Sequence, residues 1–154
     1  MRHSLALAFA LVAGSAVLSG SLASAQTFTA TLSGNQEVGP VATPATGTGT
    51  LNLTGGPGAW VATYSMSYSG LLSPIVNPPG AHIHNAPFGT NGGVVHGLDG
   101  IAAAVGTTSG VFNGDWRFDD ATNPLTDTLV GQLIAGNLYF NIHTAQTCNV
   151  VASV

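Results

Sequence analysis

The chain has no lysine, and Arg2 and Arg117 are its only two permanent cations. Charged residues make up 5% of the sequence, so the clusters of Lys and Arg that neutralise phosphates are missing. Nucleic acid is not expected as a partner, and an anionic membrane surface is disfavoured on the same ground. A single cysteine, Cys148, rules out any disulfide within the chain. Three roles stay open for that thiol: inert burial, pairing between two chains, or soft metal ligation. Also missing are a Ser-His-Asp grouping, a paired-carboxylate arrangement and a phosphate-binding loop, so neither hydrolase nor nucleotide chemistry is motivated.

Long apolar runs are scarce too, and the one that exists stands at the start. Residues 1–25 carry Arg2, an apolar stretch over 5–12 and the small-x-small ending Ala23-Ser24-Ala25, which together read as a signal peptide cut before Gln26. The stretch is shorter than the roughly 20 residues a bilayer demands, and Gly14, Ser15, Ser19 and Gly20 interrupt its tail. The expectation is therefore a periplasmic or secreted protein, with no membrane insertion after cleavage and one domain over 26–154. The whole chain has a formal net charge of −4, and losing Arg2 leaves Arg117 alone against six carboxylates.

What is abundant is Gly, Thr, Ser, Ala and Val in short alternating runs between Gly and Pro punctuation. This pattern predicts an all-β fold, a Greek-key-like β-sandwich or barrel of short antiparallel strands. Strands are expected at 28–33, 49–54, 60–69, 82–84, 94–98, 111–118 and 137–144, with a last edge strand at 150–154. Gly55-Gly56-Pro57-Gly58 marks a hairpin. In the strand after it, Trp60, Ala62, Tyr64, Met66 and Tyr68 share one face, which is expected to be the core. Three prolines make 71–79 an irregular crossing. One short helix is expected over 125–135, with Leu125, Leu129, Leu133 and Ile134 on one stripe and Gly136 as its stop.

Four of the five histidines lie in two segments of the mature region: GAHIHNAPFGTNGGVVHGL, residues 80–98, and YFNIHT, residues 139–144. Alternation along a strand sends His82 and His84 to one face, roughly 6 to 7 Å apart at Cα, and Ile83 to the other. Two imidazoles so placed can converge on one ion. His96 returns after a Gly-rich excursion, and His143 comes from a distant strand. An all-imidazole set favours copper, with zinc the alternative, over hard cations that want oxygen ligands. Asp99, Asn85, Asn141, Thr144 or backbone carbonyls could orient the rings. Met66 reads as core before ligand.

The segments LSGNQEVGPVATPATGTGTLNL, GAHIHNAPFGTNGGVVHGL and LIAGNLYFNIHT, in that order, resemble the successive signatures of the CHRD domain, the chordin-type domain of exported proteins. The resemblance implies an extracytoplasmic β-sandwich-like domain. The family's usual polar ending gives way here to AQTCNVVASV, and His96 stands where an ordinary strand residue is usual. More loosely, the order His82, His84, His96 and His143 is similar to that of the copper ligands in copper/zinc superoxide dismutase, without the additional His and Asp that hold zinc there.

These observations lead to an exported CHRD-type protein binding copper through His82, His84, His96 and His143, for storage or delivery. The competing readings are a non-metal structural or adhesion module with structural histidines, and a dismutase-like oxidoreductase. Catalysis is not expected. The metal ion is the one partner the residues call for, and Cys148 or a strand edge offers a route to a homodimer.

Overall fold

The computed structural model describes residues 25–78, 80–145 and 150–153. The expected signal peptide and Cys148 lie outside the described residues, apart from Ala25. Eight strands follow one another: β1 (Gln26–Ser33), β2 (Thr46–Thr54), β3 (Val61–Ser69), β4 (Ala81–Asn85), β5 (Gly93–Gly97), β6 (Gly110–Arg117), β7 (Leu138–Ile142) and β8 (Val150–Ser153). Two short helices, α1 (Ile101–Ala104) and α2 (Asp127–Ile134), stand beside them.

All registered pairings are antiparallel, in the order β5-β4-β7-β8-β1-β2-β3-β6. A single registered pair, Ser33 with Val151, joins β1 to β8. At that seam the sheet folds over into a β-sandwich, one half being β5-β4-β7-β8 and the other β1-β2-β3-β6. Aromatic contacts between the halves show them face to face: Tyr64 of β3 lies 6.3 Å from Phe140 of β7. The chain crosses between halves after β3, β5 and β6, which gives the Greek-key-like connectivity.

Alternation decides what goes inside. Ala62, Tyr64, Met66 and Tyr68 of β3 are buried, with Thr63, Ser65 and Ser69 exposed opposite them. Leu32, Leu51, Phe112, Trp116, Phe140 and Ile142 complete the same core from the neighbouring strands. Trp60, expected on that face, precedes the strand and is partly buried, its indole N–H donating to Asp127 at 2.7 Å. The C-terminal strand is not an edge, because β8 sits between β7 and β1 and the two edges are β5 and β6.

The helix is shorter than the expected 125–135. Thr126 caps it, its hydroxyl accepting from the Leu129 N–H at 3.2 Å. Leu125 is buried ahead of the first turn, Val130 and Leu133 face the core, and Ile134 is 58% exposed and so off the stripe. Gly136, at φ +73°, ends the helix in the left-handed region. Helix α1 was not expected; four residues are too few to show a period.

Candidate metal centre

Strand β4 is the middle of its half, hydrogen-bonded to β5 on one side and β7 on the other. Its Ala81 and Ile83 are buried in the core, so alternation turns His82 and His84 to the opposite face. In β7 the residues facing them are Asn141, opposite His82, and Tyr139, opposite His84. His143 follows β7 immediately. Its backbone N–H donates to the Gly80 carbonyl at 2.8 Å, and its carbonyl accepts from Val76 at 3.5 Å, which fixes it beside the start of β4.

The result is a three-histidine group that could hold a metal ion. One nitrogen from each of His82, His84 and His143 lies within 4.8 Å of the other two. The ring centroids are 5.8 Å apart for His82 and His84, 5.5 Å for His82 and His143, and 6.0 Å for His84 and His143. An ion about 2 Å from each nitrogen sets the nitrogens roughly 3.3 Å apart in a tetrahedral shell, so small ring rotations close the remaining gap.

His84 is held from two sides. It is 8% exposed, its ring stacks on Tyr139 at 5.1 Å and 14°, and Nδ1 lies 3.0 Å from the Gly92 carbonyl. A carbonyl only accepts, so Nδ1 carries the proton and Nε2 keeps its lone pair. That Nε2 is buried with no hydrogen-bond partner, as is Nδ1 of His82. Burial, and secondarily the neighbouring His84, hold the His82 imidazole below its ordinary pKa, so it stays neutral.

The loop between β4 and β5 serves this geometry. The Gly92 N–H donates to the Tyr139 hydroxyl at 2.9 Å while its carbonyl takes His84, so one residue positions both rings. A Cβ on Gly92 would collide with the Asn85 carbonyl and with Ala86, so only glycine fits there. The ring-orienting acceptor is thus a backbone carbonyl, one of the expected options.

His96 is not brought to the other three. It pairs with Ile83, on the core side of β4. A register shift between Ile83 and His84 leaves Val95 as an extra residue, and Val95 and His96 both pack toward the core. There the His96 ring stacks on Trp116 at 5.1 Å and meets Tyr64 edge-on at 5.9 Å. It is 5% exposed, both ring nitrogens lack a partner, and burial holds it below its ordinary pKa. Asp99, expected near the ligands, instead acts on His96 and donates its backbone N–H to the Tyr64 hydroxyl at 2.7 Å. Met66 is fully buried in the core.

Sequence reasoning missed Glu37. It follows the short 3-10 turn Gly34–Gln36, and it lines a pocket of about 300 Å³ together with Val41, His84, Tyr139, Asn141 and His143. Burial pushes its carboxyl up to about 7. It lies in one of the segments that carry the family resemblance, but no histidine stands near it there; the return of the segment after β1 over β7 brings it to the pocket.

Fold and site together define an all-β sandwich with a three-histidine group on the outer face of one half. The family model of the CHRD domain matches residues 28–149, and the chain belongs to that family. No curated protein and no solved structure matches it.

Proposed function

We propose that this is an exported protein that binds copper through His82, His84 and His143, for storage or delivery. The observation that carries the reading is the convergence of the three imidazoles, two of whose ring nitrogens are buried without a partner. Buried ring nitrogens without a partner are uncommon, and here two of them fall where three imidazoles meet. Nitrogen donors without a carboxylate among them suit a borderline ion, and the affinity order places Cu²⁺ above Zn²⁺. Among the described residues no helix is long and apolar enough to cross a membrane. Export rests on the leader-like sequence of residues 1–25. Storage or delivery needs binding alone.

The test is a titration of the mature protein with Cu²⁺, followed by absorbance and electron paramagnetic resonance. One equivalent is expected, with coupling to three imidazole nitrogens. Zinc is the ion instead if Zn²⁺ displaces bound copper at equal concentration. The reading fails if His82→Ala/His84→Ala binds copper as tightly as the parent.

A further inference from the structure

Of the histidines in residues 26–154, His96 is the one outside the metal group, and it sits where a charge has nothing to meet. Its ring lies between the two halves, stacked on Trp116 of β6 and edge-on to Tyr64 of β3, and neither nitrogen has a partner. A second proton would bring a charge into the core with no acceptor to receive it. The titratable groups around the ring do not change this. Asp99, just past β5, and Asp120, in the turn after β6, favour the charged form, but burial outweighs both. Asp120 Oδ1 already accepts from the Thr122 and Asn123 N–H groups at 2.8 and 3.0 Å. Burial raises the Tyr64 phenol, so it stays neutral, and its hydroxyl accepts the Asp99 N–H. Ile83, the partner in β4, is apolar.

The strand that carries His96 is lightly anchored. β5 is an edge strand paired with β4 alone, glycine stands at both its ends, and His96 is its one buried residue. It continues directly from Gly92, whose carbonyl and N–H set the rings of His84 and Tyr139. An opening that takes His96 out of the core therefore takes with it the residue that orients a metal ligand. We infer that Gly92 and β5 form an acid-opened gate on the three-histidine group: as pH falls, His96 leaves the core as imidazolium, β5 parts from β4, and the metal is released. The opened strand exposes an ordinary imidazole, which takes a proton at about pH 6.5. Each unit of pH below that value favours the open form over the closed one about tenfold more. Holding the metal at neutral pH and giving it up on acidification are then two states of one element.

This inference rests on the copper reading, and the experiment separates the two. Amide hydrogen exchange of the metal-free parent, corrected for intrinsic rates, is followed at pH 7.5 and 5.5. The reporters are the amides of β5 and the Leu98 N–H, which donates to the Ala81 carbonyl at 2.9 Å. Their protection is expected to fall roughly tenfold over that drop, while β2, inside the other half, keeps its own. Unchanged protection in β5, or an equal fall in β2, overturns the inference. Copper release into excess EDTA is then timed at both pH values for the parent and for His96→Phe, which keeps an aromatic ring on Trp116 and cannot take the proton. Acidification is expected to quicken release from the parent roughly tenfold more than from the variant. Equal acceleration overturns the inference and leaves the copper site standing. Absence of bound copper in both proteins at pH 7.5 overturns the copper reading and the inference with it. The exchange measurement uses the parent alone, so the inference can be refuted even where the variant does not fold.

Discussion

His96 and Glu37 are each buried against their chemistry, and each leaves a distinct mark on stability. The His96 ring is neutral in the fold because burial lowers its pKa, whereas in the unfolded chain it titrates at about 6.5. Its contribution is therefore complete above that value and is lost as pH falls. His96→Phe keeps the stack on Trp116 and removes two unpartnered nitrogens. At pH 7.5 it is expected within about 1 kcal/mol of the parent, and the gap should turn in its favour below pH 6 in urea unfolding. His96→Ala opens a hole beside Trp116 and should cost about 2–4 kcal/mol. Neither variant should change the copper stoichiometry. Glu37 has the opposite sign: its carboxyl is raised to about 7, so its contribution is present below the ordinary value of about 4.3 and lost as pH rises through 7. Metal-free Glu37→Gln should match the parent at pH 4 and exceed it at pH 8. With the group only partly shielded from water, about 1 kcal/mol is expected.

Among the elements, the loop joining β4 to β5 is the one whose shape the site depends on. Gly92→Ala forces its carbonyl away from His84 and its N–H away from Tyr139. Copper affinity should fall roughly tenfold or more, the usual cost of losing a ring-orienting partner, while the three ligands remain in place. Isothermal titration of the variant beside His84→Ala would distinguish loss of orientation from loss of a ligand. The same elements show how far the chain could be read directly. Alternation in β3 and β4 placed Tyr64 and Met66 inside and turned His82 and His84 outward, because period 2 is a local property. The pairing of β4 with β7, and so the arrival of His143 beside His82 and His84, is a tertiary contact that no local pattern carries. His96 was misplaced for a reason that no pattern shows. One extra residue, Val95, shifts the alternation in β5 and sends the ring to the core. Glu37 could not be found at all, since it meets the histidines only after the 3-10 turn carries the chain back.

For the whole molecule, ligands that meet only in the folded state couple metal binding to folding. His82 and His84 come from β4 and His143 from beyond β7, with β5, β6 and both helices between them in the chain. An unfolded chain holds no such site, so on the proposed copper reading the ion should stabilise the fold by mass action, by about 2.7 kcal/mol at a free concentration one hundred times Kd. For a domain of this size that should raise Tm by roughly 8–15 °C at pH 7.5. Protons compete for the same nitrogens. Because burial holds the His82 imidazole below its ordinary pKa, it stays available to the ion on mild acidification, and the stabilisation should be lost as pH falls further and protons compete with the metal. Calorimetric scans with and without copper from pH 7.5 to 5 measure this directly. A Tm shift independent of pH, or one retained in His82→Ala/His84→Ala, would mean that copper binds elsewhere on the protein.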